Sequence, residues 1–297
     1  MRGASKSQGQ RRWWSGVARA ICHGRRSRQD DYAVEPESSD AAVADSAKDC
    51  VVAHAELRES ADYKAQITRL ERVTRALIDI IRMSWAESSR SAPIVDGLLL
   101  YTSTDDTLES VVAILDLVKV GVHNAARREL RYLLESSVKH VYVDQQLPDV
   151  KTHSREDRIA YLASAVPRSS IDVVKQVDVP FGKPDDLSNY QNDVKSLWSR
   201  MSGYVHPSVA QTSQRLQRAE RGAFIGFEDV KALRQIVDDI VKAYDMLGVM
   251  WLTGAGPSAA GDILTAFETP DWAFARTKWL PAMSRYYDYK SERKKST

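Results

Sequence analysis

With 297 residues and 42 Lys+Arg against 40 Asp+Glu, the chain carries a formal net charge of only +2, which excludes a protein wrapped wholesale around nucleic acid. Any polyanion site must be local, and the length calls for one main core. Both cysteines, Cys22 and Cys50, lie in a poorly patterned N-terminal stretch, and no CxxC or Cys/His cluster has zinc spacing, so a reducing cytosol with no structural metal is expected.

Residues 1–29 hold eight basic residues and no acidic one, whereas residues 30–62 hold ten acidic and two basic. Neither block reads as core, and 1–61 is expected to be a disordered arm, basic and then acidic. The basic block lacks the apolar run of a secretory signal, although an Arg-rich, acid-free start is also a feature of transit peptides. Trp13 and Trp14 beside Arg11 and Arg12 could stack on bases or rest on a membrane surface.

From Asp62 onward, Tyr63, Ile67, Leu70, Val73, Leu77, Ile78 and Ile81 recur at helical spacing and predict a first long helix. Asp106 and Glu109 read as a capping box, and Leu108, Val111, Val112, Leu115 and Val118 continue a second helix to Gly121. Asn124 is placed to cap a third, lined by Leu130, Leu133, Leu134, Val138, Val141 and Tyr142 and ended at Leu147-Pro148. A shorter helix is expected from Ser154 to about Val166, then a polar loop around Val179 to Ser188. Tyr190, Val194, Leu197, Trp198 and Met201 mark a fourth long helix. Val230, Leu233, Val237, Ile240, Val241, Tyr244 and Trp251 mark a fifth, closed by Gly254, Gly256 and Pro257.

No alternating β-branched run and no long-period repeat is present, so the fold class is all-α: an antiparallel helical bundle of about five main helices over 62–256. Residues 257–297 form an aromatic-rich extension whose Trp272, Phe274, Trp279, Tyr286, Tyr287 and Tyr289 are expected to pack on the bundle or on a second subunit. The most apolar stretch, Ile236 to Leu252, is broken by Asp238, Asp239, Lys242 and Asp245. No membrane insertion is therefore expected, and the localisation read from the sequence is cytoplasmic.

The chain has no Gly-rich phosphate loop, HExxH, GxSxG or Cys-His nucleophile pattern, and no cofactor is implied. The adjacent acids Asp105/Asp106, Asp185/Asp186 and Asp238/Asp239 are better explained by capping and solvation than by metal binding. His123, His140 and His153 read as structural or exposed, and His23 and His54 fall in the arm.

What remains is the stretch from Leu197 to Ser208. Gly203 is suited to end a helix in the left-handed conformation, and Pro207 biases His206 away from helical geometry. Without such a break, six residues at about 100° each would leave Arg200 and His206 roughly 120° apart around the helix. With it, the two can converge. An imidazole with an intrinsic pKa near ~6.5 can take a proton from a ribose 2′-hydroxyl, and a permanently charged guanidinium can brace a phosphorane, with no metal required. The bland alternative is a cation at a helix C-terminus and a histidine in a turn.

Arg200-x5-His206 at the end of a bundle helix resembles the Arg-x4-6-His motif of the HEPN superfamily. The phrase Gly203-Tyr204-Val205-His206-Pro207-Ser208, with Arg127, Arg131, Leu133, Leu134 and Glu135 before it, is similar to a bacterial branch of that superfamily. The resemblance spans roughly residues 62–252. It implies a metal-independent endoribonuclease, commonly a toxin or anti-phage effector, in which the arginines and histidines of two subunits meet at a homodimer interface. Arg200 and His206 would hold the catalytic roles, Ser202 and Tyr204 would be phosphate partners, and an antitoxin or other partner protein would hold the activity in check. Arg127, Arg131 and Glu135 share a helix face as an ion-pair ladder or a positive groove, with Arg131 the residue placed to reach RNA. Active members usually carry a polar residue after the arginine, whereas here Met201 falls on the apolar stripe. That feature supports the alternative, a catalytically inactive HEPN-like bundle binding RNA or a partner protein. A third possibility is an adaptor whose working part is the basic N-terminus.

Overall fold

The computed structural model describes residues 55–88, 96–168, 170–205, 208–220, 229–267, 269 and 271–287. The N-terminal arm up to residue 54, with Cys22, Cys50, Trp13, Trp14, His23 and His54, lies outside them, as does Tyr289. Among the described residues every regular element is helical, so the chain is an all-α bundle. In order these are α1 (Ala61–Ser88), α2 (Leu99–Thr102), α3 (Thr104–Lys119), α4 (His123–Gln146), α5 (Arg155–Ala165), a 3-10 turn (Asp172–Gln176), α6 (Pro184–Ser202), α7 (Val209–Glu220), α8 (Val230–Ala255), α9 (Pro257–Phe267) and α10 (Leu280–Tyr286).

Two helices organise the core. α8 runs along α1 and also packs on α4, α6, α9 and α10, while α4 packs on α2, α3, α5, α6 and the 3-10 turn. α8 can do this because Ile236, Val237, Ile240 and the run from Ala243 to Leu252 are buried nearly all round, as befits a central helix. α4 buries Leu130, Leu133, Leu134, Val138 and Val141 on the predicted stripe. Each such side chain contributes roughly 1.5–3 kcal/mol when fully removed from water. Among the described residues no helix is long and apolar enough to cross a membrane.

Helix ends follow the sequence in some places and depart from it in others. Gly121 has φ 78°, and the Val122 N–H donates to Leu117 O at 2.7 Å, closing α3 with a left-handed residue that only glycine adopts without strain. Ser154 caps α5 through a reciprocal box with Asp157, and Gly256 ends α8. Asp106, by contrast, is not a cap, because α3 starts at Thr104 and the Asp106 carboxylate accepts instead from the Tyr132 hydroxyl. Asn124 is inside α4, which is capped at Val122, and its Oδ1 accepts from Arg127 Nη1 at 2.9 Å. In both cases a long side chain from α4 outcompetes the local backbone. Val112, expected on the stripe of α3, is 47% exposed, and Ile114 takes the buried position. The loop expected over 179–188 is shorter, since Pro184 starts α6 and Asp185 and Asp186 lie in its first turn.

Beyond α8, Trp272, Phe274 and Trp279 are buried in the same core. Trp279 meets Phe181 and Tyr190, each at 5.4 Å between ring centroids, so the segment after α9 closes over the side of α6. Tyr286, in contrast, stays half-exposed.

Candidate functional site

The sequence motif lies where α6 leaves the bundle. Tyr190, Val194, Leu197 and Met201 bury one face of α6 and place Arg200 in its last turn, where the helix dipole favours a cation. The exit is clamped from α4. Arg131 Nε donates to Ser202 Oγ at 2.9 Å, its Nη2 is 3.1 Å from Glu135, and its guanidinium lies 4.7 Å from the centroid of the Trp198 ring. Trp198 Nε1 donates to Glu135 at 3.1 Å, and Lys139 pairs with the other oxygen of Glu135 at 2.6 Å. The ladder of charges on α4 therefore runs from Arg131 through Glu135 to Lys139. Arg127 does something else: it is buried and lies over the Tyr204 ring at 4.5 Å.

Ser202 Oγ, while accepting from Arg131, donates to Trp198 O at 2.9 Å. The structure thus brings Arg131, Ser202, Tyr204 and Arg200 to one end of α6, with Ser202 and the Tyr204 ring engaged by the two arginines of α4. His206 and Pro207 lie outside the described residues.

Arg200 points the other way, toward α8, where its Nη2 donates to Asp239 Oδ1 at 2.5 Å. Its side chain remains 49% exposed while that of Asp239 is 15% exposed, so the carboxylate is the fixed partner and the guanidinium the accessible one. Burial holds the Asp239 carboxyl above the ordinary carboxylate range, against the opposing pull of Arg200, Arg127 and Lys242. The sequence reading assigned Asp238 and Asp239 to solvation. Instead both are ion-paired, Asp238 with Arg69 at 2.6 Å. An aspartate on the flank of an otherwise apolar helix was the signal available.

The turn after α6 corrects the expectation of a left-handed glycine. Gly203 has φ −60° and ψ −14°, an ordinary right-handed conformation. Tyr204 N–H donates to Met201 O at 3.0 Å and Val205 N–H to Ser202 O at 3.1 Å, so the helix tightens into three-residue turns rather than reversing. Among the described residues, a Cβ at position 203 would meet Arg200 O alone, at 3.4 Å. Gly203→Ala is therefore expected to leave the melting temperature unchanged or to raise stability by up to ~1 kcal/mol. A thermal melt showing a clear loss would place a left-handed residue there after all. On the far side of His206, Ser208 Oγ donates to Gly203 O at 2.8 Å and accepts from Gln211 N–H at 3.1 Å, starting α7.

The described histidines are built into the scaffold. His123 is buried at the start of α4, and burial pushes the His140 imidazole down to about 4, with its Nδ1 3.1 Å from Ser103 Oγ. His153 stands just before the Ser154 cap of α5, and its carbonyl accepts from Arg158. No protein-family model, curated protein or solved structure matches the chain.

Proposed function

We propose that the chain is a HEPN-like, metal-independent endoribonuclease acting as a toxin or anti-phage effector, with Arg200 and His206 as its catalytic pair. The observation that supports this most is the state of Arg200: a half-exposed guanidinium anchored at one nitrogen by Asp239, with its remaining edge accessible at the end of α6. The chain on both sides of His206 is fastened to that same end, through Val205 N–H and Ser208 Oγ. In the reaction His206 takes the proton of a ribose 2′-hydroxyl, and the 2′-oxygen attacks the adjacent phosphorus. The bond to the 5′-oxygen breaks, and that oxygen leaves with the proton returned by the imidazolium, giving a cyclic phosphate and a free 5′-hydroxyl. Arg200 stabilises the extra charge on the phosphorane. The resemblance adds a homodimer in which two such helix ends face one another, RNA as the substrate, and a partner protein or antitoxin restraining the activity.

The test is induction of wild type, Arg200→Ala and His206→Ala in a bacterial host at matched soluble levels, with total RNA examined for new fragments and cleavage then measured on purified protein. Wild type should arrest growth and fragment RNA, and each variant should lose about 10²–10³-fold in rate. Equal behaviour of all three would favour the second reading, a catalytically silent bundle that binds RNA or a partner protein. Two observations favour that second reading: Met201 beside Arg200 is fully buried, and the Ser202 hydroxyl proton is given to Trp198 O rather than to solvent.

A further inference from the structure

A cleft of about 610 Å³ opens between α1, α6, α8 and the segment 276–279, a volume within the range of small-molecule sites. Its apolar surface comes from Leu197, Val241, Met246 and Trp279. Five cations line it: Arg69, Arg200, Lys242, Arg276 and Lys278. The carboxylates lining it are Asp193, Asp238 and Asp245, and each is already committed. Asp193 pairs with Lys278 at 2.8 Å and Asp238 with Arg69 at 2.6 Å. Asp245 is buried and accepts from the Thr277 hydroxyl and from the backbone N–H groups of Lys278, Trp279 and Leu280. Lys242 and Arg276 are exposed and neither makes a close ion pair among the described residues, with Arg276 free of any carboxylate there and Lys242 lending part of its field to Asp239. Arg200, shared with Asp239, adds a partly spent third cation.

A cleft with unspent positive charge over an apolar floor is suited to a ligand with the opposite make-up: at least two negative charges joined to a body with an apolar face. Arginine meets phosphate oxygens with a planar fork and lysine meets them as a point charge, so the pair serves a diphosphate better than an isolated carboxylate. We infer that this cleft is a binding site for an organic phosphate of nucleotide size, with Lys242 and Arg276 as its main anion contacts. The site is distinct from the exit of α6 clamped by α4 and does not require the chain to cleave RNA. The two meet only at Arg200.

Titration calorimetry on the full-length chain tests the inference, with adenosine diphosphate and inorganic pyrophosphate as probes. Wild type, Lys242→Ala and Arg276→Ala are compared with Lys151→Ala, an exposed lysine before α5 and away from the cleft lining. The expected result is saturable binding of adenosine diphosphate, weaker binding of pyrophosphate, and an affinity loss of about tenfold in each cleft variant with none in Lys151→Ala. Absence of saturable binding would overturn the site, and so would an equal loss in Lys151→Ala, which would mean attraction to net charge alone. Equal affinity for the two probes would overturn the assignment of an organic body.

Discussion

Asp245→Ala should lower stability by roughly 3–5 kcal/mol, seen as a fall in Tm of roughly 10 °C. One carboxylate here fastens residues 277–280, where the chain enters α10. Its Oδ1 accepts from Thr277 Oγ1 at 2.7 Å and from Leu280 N at 2.8 Å, while its Oδ2 accepts from Trp279 N at 2.8 Å and Lys278 N at 3.1 Å. Trp279 is the N-cap of α10 and Leu280 its first residue, so their N–H groups are among those that a helix start leaves without intrahelical partners, and Lys278 is the residue just before. Alanine would strand buried donors and leave a void beneath Trp279, which is itself wedged between Phe181 and Tyr190. Burial raises the Asp245 carboxyl above its ordinary range, against the four donors that favour its charged form. Urea denaturation gives the magnitude, and limited proteolysis in the 271–279 segment should become faster. A loss below ~1 kcal/mol would mean that water replaces the carboxylate, and the segment would then hold by its aromatics alone.

How much of this was legible in the sequence depended on the distance over which each cause acts. The long helices were readable because the stripes of α1, α4 and α8 are set by side chains three or four residues apart. The ends of α3 and α4 were misplaced because Asp106 and Asn124 are residue types that cap, but each is claimed by a side chain of α4, Tyr132 and Arg127. Gly203 was misjudged for a similar reason, since local preference allows a left-handed glycine but the following N–H groups find partners in the last turn of α6. At the site itself, Arg200 could be picked out as a cation at a helix end. Its partner could not, because Asp239 lies 39 residues away on another helix. The same holds for the cleft. Arg69, Lys242 and Arg276 come from three unconnected parts of the chain, and no spacing rule joins them.

Arg158→Met is expected to cost about 3–5 kcal/mol at pH 7 and distinctly less at pH 4. Arg158 projects from α5 with its side chain wholly buried. It donates to the carbonyls of Leu147 and His153, tying the end of α4 to the start of α5, and approaches Ser154 O at 3.4 Å. Its Nε stands 3.4 Å from Asp144 Oδ1, and that carboxylate also accepts the N–H groups of Leu99 and Leu100 that open α2, at 2.9 and 3.0 Å. Burial pushes Asp144 up to about 6, against the pull of the Leu100 and Leu99 N–H groups and of Arg158. Because this folded-state value lies above the ordinary 3.8, the folded chain keeps a proton on Asp144 that the unfolded chain releases. Its contribution to stability is therefore full below about 3.8 and is lost as the pH rises through about 6. At pH 7 Asp144 is a buried carboxylate, and Arg158 is the charge that compensates it. With methionine at 158 that compensation disappears, whereas at pH 4 Asp144 is protonated in the folded chain with or without its partner, and the loss shrinks to the carbonyl contacts. Urea unfolding of wild type and Arg158→Met at the two pH values reads the difference directly, and adding Asp144→Asn should recover part of the loss at pH 7 alone. An equal cost at both pH values would show that Arg158 acts on the carbonyls and on packing, with no electrostatic share from Asp144.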